Sequence, residues 1–289
     1  MTSSTAPPST RPPSAFLRLP GEIRNKTCQY ALTSATPIEH LPGYRTVCGP
    51  QFIDRSQDTP KGRSLQFNSL KLVCKQLHAE TAGLEIQFNC TIFTPSAGYS
   101  KPAEQCFFDF VAPITLKKLD WLSTVIIATE VKRLGPSVRD LPNLPYLSAL
   151  VAFAKHHPTT DVRYQFVNFQ FGRDNLYSWL SFMYVGVALM IALKGMSISD
   201  AAPGETFGGY QWVSVMYDRA EAWSKTWNIV GLLRGVKNFA VWPKGGEELV
   251  NYMESLEQNI RRSGLSKGMS DRWRFHTRTW FKEGIRGKE

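Results

Sequence analysis

Apolar positions along the chain fall first into helical spacing and then into an alternation of strand-like and helix-like segments. From Phe16 the run Phe-Leu-Arg-Leu-Pro-Gly-Glu-Ile-Arg sets Pro20 as a first-turn residue and Glu22 near the positive end of a helix dipole. Ile23, Thr27, Tyr30 and Ala31 then recur at helical intervals, which predicts a helix of about three turns. Residues 33–64 carry four prolines and three glycines, so a loop or short hairpin is expected there. Leu70, Val73, Leu77, Leu84 and Phe88 share one face and predict a strong helix, with Asn68 or Ser69 as its cap.

Strands are expected at 91–94, 124–129, 161–171 and 236–241, where β-branched or alternating apolar residues dominate. Between them helices are expected at 103–119, bent or split by Pro113, and at 144–156, 175–193, 208–233 and 247–262. Strands separated by helices imply crossover connections and a central sheet. The expected fold is α+β, with an N-terminal helix pair packed against a helix-covered sheet. The organisation read from the chain is a disordered tail over 1–14, a helix-pair region over 15–95 with a proline-rich insert, an α+β domain over 96–263 and a basic aromatic segment over 264–289.

Composition narrows the picture. The 289 residues hold 34 Lys plus Arg against 24 Asp plus Glu, a net charge of +10 that favours acidic partners. Five cysteines (Cys28, Cys48, Cys74, Cys90 and Cys106) show no regular spacing, and the first residues offer no export signal, so a reducing compartment, cytoplasmic or nuclear, is expected. The sequons at Asn25 and Asn89 then read as chance matches.

Two segments carry the strongest motif, residues 16–32 (FLRLPGEIRNKTCQYAL) and 70–93 (LKLVCKQLHAETAGLEIQFNCTIF). Together they resemble a large group of fungal F-box-like proteins, which open with a leucine-proline-x-glutamate-isoleucine-arginine helix and continue with a valine-cysteine-lysine-glutamine-x-histidine-x-glutamate helix. The resemblance implies recruitment rather than catalysis: such helices dock on the Skp-type adaptor of a cullin ubiquitin ligase, and the remainder receives a protein substrate. The matched, adaptor-binding positions would be Leu17, Leu19, Pro20, Glu22 and Ile23 in the first helix and Leu72, Val73, Cys74 and Leu77 in the second. The chain departs from a compact F-box because 53 positions separate Pro20 from Val73, with the proline-rich insert between them. Exposure of these side chains distinguishes a docking surface from core.

Other features have plainer readings. His78 and Glu80 are two apart and point to different faces, so they lack the spacing of a zinc-binding helix, and no metal or cofactor is expected. His156 and His157, just before Pro158, suit the negative end of a helix. The 19 uncharged residues 175–193 reach the length of a membrane span, yet a helix apolar all round is also what the centre of a large domain contains, and that reading is preferred. The glycine-rich 204–209 lacks the residues of a phosphate cradle, and no signature of enzymatic chemistry is present.

The C-terminal segment from Arg261 to Glu289 holds nine bases against three acids, interleaved with aromatic residues. Arg272, Trp273, Arg274, Arg278 and Trp280 could bind nucleic acid, the rings stacking on bases while the cations neutralise phosphates. The plainer alternative is a terminal helix or strand pinned by its aromatic side chains.

Overall fold

The computed structural model describes residues 14–46, 49–54, 67–95, 101–128, 144–165, 176–201, 211–243 and 267–287. The fold is α+β. After a single 3-10 turn at Phe16–Arg18, helix α1 runs over Gly21–Ala31, and the insert forms an antiparallel hairpin of β1 (Ile38–Thr46) and β2 (Gly49–Ile53). A 3-10 turn at Leu70–Leu72 leads into α2 (Lys75–Thr81), α3 (Leu84–Phe88) and β3 (Thr91–Phe93).

The expected single helix over 70–88 is therefore broken. Gly83 sits at φ +96°, in the left-handed region, and Trp121 lies 3.3 Å from where its Cβ would be. Next come α4 (Ala103–Val111) and α5 (Leu116–Leu119), split around Pro113, then β4 (Thr124–Ala128), α6 (Leu144–His156) and β5 (Asp161–Gln165). Helices α7 (Leu176–Lys194), α8 (Ile198–Ala201), α9 (Gln211–Thr226) and α10 (Ile229–Leu233) precede β6 (Phe239–Trp242). Asn228, at φ 49°, divides α9 from α10 where one helix was expected. The expected helix over 247–262 lies outside the described residues. Finally α11 (Lys267–Glu283) turns at Gly284 into β7 (Ile285–Arg286).

The seven strands form one sheet in the order β2-β1-β3-β4-β5-β6-β7. Pairing from β1 through β3, β4 and β5 to β6 is parallel, and antiparallel strands close both edges. Each parallel strand is laid on the same side of its predecessor, so right-handed crossovers bring the connecting helices to one face. Two register rows face those helices: Ile38, Thr91, Val125, Val162 and Phe239, then His40, Phe93, Ile127, Tyr164, Val241 and Ile285. All of these are buried, and their apolar members join α4, α6, α7, α10 and α11 in a single core. The intervening row, with Glu39, Ile92, Ile126, Arg163, Ala240 and Arg286, points the other way.

The regions 15–95 and 96–263 thus share one sheet through the β3–β4 pairing. The C-terminal half of α7, from Val185 to Leu193, is buried without interruption. Among the described residues no helix is long and apolar enough to cross a membrane.

Candidate docking surface

Helix α1 is held to the molecule at few points. Cys28 is its one buried residue, and Leu32, just past its end, is also buried. Asn89 fixes that end: its Nδ2 donates to the Leu32 carbonyl at 2.6 Å and the Glu85 carbonyl at 2.8 Å, while its Oδ1 accepts from the Ser34 N–H at 2.6 Å. The amide of this sequon residue is thereby consumed in joining α1 to α3.

The other end is held by Arg24. Its Nε and Nη2 donate to Glu80 of α2 at 3.1 and 3.0 Å, a two-pronged ion pair. Its Nη1 donates to the carbonyls of Leu19 at 2.6 Å and Leu17 at 3.3 Å. One guanidinium therefore joins the arginine of the first motif to the final glutamate of the second and folds the Leu17–Leu19 turn back onto α1. Hydrogen bonds from Gln76 and Arg24 hold the Glu80 carboxyl below the usual range.

Beneath the 3-10 turn at 70–72 lies a second anchor, fully buried. Glu85 accepts from Lys71 Nζ at 3.1 Å, from Asn68 Nδ2 at 2.7 Å and from the Gly83 N–H at 3.0 Å. The Lys71 and Glu85 side chains are 2% and 4% exposed. With Lys71 drawn inward, the next two residues face solvent. At the start of α2 the Cys74 Sγ takes the capping role, accepting from the Leu77 N–H at 3.5 Å.

The result is an apolar surface raised on polar anchors. Leu19 is 39% exposed, Ile23 50%, Tyr30 75%, Leu72 53% and Val73 67%. Ile23 and Tyr30 stand seven residues apart on one side of α1, and Leu19 lies in the extended link just before that helix. Pro20, Glu22 and Cys74 are exposed as well, and Leu17 is half-buried. Leu77 departs from the expected set: at 6% exposure it packs inward and offers a partner no surface. Arg18, Lys26 and Lys75 are exposed in the same segments, giving the surface a basic rim. The arrangement is suited to burying apolar area and meeting acids.

The C-terminal residues separate into two groups. Trp273 and Trp280 are each 2% exposed and belong to the core, so they cannot stack on bases as expected from the sequence. Arg272 and Arg278 are exposed, while Arg274 pairs with Asp271 at 3.4 Å.

Two buried polar features were not found from the sequence. His40 lies among Phe52, Phe93 and Phe110, with ring centroids 5.2 to 5.6 Å away, and its Nδ1 has no hydrogen-bond partner among the described residues. Desolvation lowers its pKa to about 4. The Tyr164 hydroxyl donates to Glu104 at 2.7 Å, both residues being buried, and desolvation first, then the carboxylate, raises the phenol pKa. His78 Nδ1 lies 3.1 Å from the Lys71 carbonyl, and His156 Nδ1 lies 2.7 Å from that of Ala152 in the last turn of α6. Among the described residues no three of His, Cys, Asp or Glu gather as a metal would require.

No protein family, curated protein or solved structure matches the chain.

Proposed function

We propose that the protein is a non-enzymatic interaction module, an F-box-like recruiter whose N-terminal helices bind the Skp-type adaptor of a cullin ubiquitin ligase while the α+β body receives a protein substrate. The observation that carries this reading is the exposure of Ile23 and Tyr30 on α1 and of Leu19 just before it, with Leu72 and Val73 beside the start of α2. An isolated helix of 11 residues is marginal in water, and one with a single buried residue gains little from its own protein. Covering its exposed apolar side with a partner supplies what the fold withholds.

Co-purification from cells provides the test. Wild-type protein brings down the Skp-type adaptor, whereas Leu19→Asp and Val73→Asp, both at exposed positions that leave the core untouched, lose it. Failure of the wild-type protein to retain the adaptor removes the ligase reading.

A further inference from the structure

Helix α11 turns two chemically distinct faces outward and inward. Trp273, Thr277, Trp280 and Phe281 point into the core. Trp280 lies so close to Gly186 of α7 that an added Cβ would fall 2.2 Å from the indole. At 100° per residue, Arg272, Arg278 and Lys282 all lie within about 60° of Phe275 on the opposite side. The Phe275 ring is 65% exposed, the three bases are exposed, and none forms an ion pair with a described residue. From Arg272 to Lys282 the face extends roughly 15 Å. Its acid, Asp271, is engaged by Arg274 at 3.4 Å, and Glu283 stands at the edge.

A second element adds charge to the flank. Lys194, the last residue of α7, and Arg272 both bear on His276, where after desolvation their like charges disfavour the protonated ring. That ring stacks on Trp280, with centroids 5.9 Å apart and 18° between planes, and lies 5.8 Å from Phe275. Two helices therefore bring to one place, beside an exposed aromatic ring, cations that form no ion pair with a described residue.

We infer that the outward face of α11, formed by Arg272, Phe275, Arg278 and Lys282 with Lys194 at its flank, binds single-stranded nucleic acid. The cations meet phosphates and Phe275 stacks on an unpaired base. A duplex hides the faces of its bases and leaves the ring without a partner. An anionic membrane requires a broad apolar face for insertion, and this face carries one large apolar side chain.

Fluorescence anisotropy of the full chain with labelled oligo(dT) and oligo(U) provides the test. The expected binding weakens as salt rises, by about 0.7 log units per log unit of salt for each phosphate neutralised. Phe275→Ala, at a solvent-facing position, weakens binding about tenfold with the salt slope preserved. Combined Arg272→Gln, Arg278→Gln and Lys282→Gln flattens the slope. Leu19→Asp leaves both quantities unchanged, which separates this site from adaptor docking. The inference is overturned if neither oligonucleotide binds, if a duplex of equal length binds as tightly, if Phe275→Ala binds like wild type, or if phosphatidylserine vesicles bind at lower concentration than oligo(dT).

Discussion

His40 occupies a core position in β1 with three phenylalanine rings around it and, among the described residues, no acceptor or donor for its Nδ1. Its folded pKa of about 4 lies below the ordinary value of 6.5, so below pH 6.5 the unfolded chain takes up a proton that the folded chain refuses. Stability from this residue is complete above pH 6.5 and is lost as pH falls toward 4. At 1.36 kcal/mol per pKa unit, the loss amounts to about 3 kcal/mol. Urea titrations between pH 7 and 4 are expected to show that decline in wild type, and a reduced one in His40→Phe. The Lys71–Glu85 pair is a second buried site with a large effect. Lys71→Met removes the cation that pairs with the buried Glu85 side chain, a change that typically costs 3–5 kcal/mol, measurable as a lower urea midpoint at pH 7. Neither residue stands out in the sequence: periodicity marks His40 only as a strand position, and the partners of Lys71 are distant in the chain. Arg24 and Glu80 lay within the recognised motifs, yet their pairing across 56 positions required the fold.

Helical periodicity located helices but not where they stop nor, over residues 70–88, which side packs: of the five apolar positions only Leu77 is buried, and Val73 is 67% exposed. Leu70, Val73, Leu77, Leu84 and Phe88 keep one spacing across Gly83, and the interruption comes from a positive φ and the approach of Trp121, which hydrophobic spacing does not encode. Gly83→Ala is expected to lower stability by about 1–2 kcal/mol, the cost of placing a Cβ in the left-handed region. Calorimetry would register this as a fall in Tm, and an unchanged Tm would mean that the junction relaxes. The same limit applies at Asn228, where the apolar spacing passes from α9 to α10 without a sign of the break. Strands were more legible, because β-branched runs such as Thr124–Ala128 have few alternatives. Within the C-terminal segment, the aromatic residues were visible but their sides were not. Trp273 and Trp280 lie inside while Phe275 lies outside, a distinction set by the helical phase of α11 against the core.

At the level of the whole molecule, the long insert between the two motifs acquires a structural role. It supplies β1 and β2, and β1 pairs with β3, so the segment that separates the motifs also fastens them to the body through one sheet. An adaptor seated on α1 would therefore be held in fixed orientation to that body rather than on a tether. A variant with Arg24→Ala releases α1 from α2 while leaving the sheet intact. It is expected to weaken adaptor capture with little effect on Tm, since a partly exposed ion pair contributes about 1 kcal/mol or less.

The monotonic order of the parallel strands also bears on how the polypeptide is made. From β1 onward, each parallel strand finds its predecessor already at the growing margin, so the body can accrete from its N-terminal side during synthesis, without waiting for distant sequence to return between earlier pieces. Among the described elements, α11 and β7 complete the far margin. A ribosome-stalled chain ending before residue 267 should thus resist protease over β1 to β5 and lack protection near β6, where Trp280, Phe281 and Ile285 have yet to arrive.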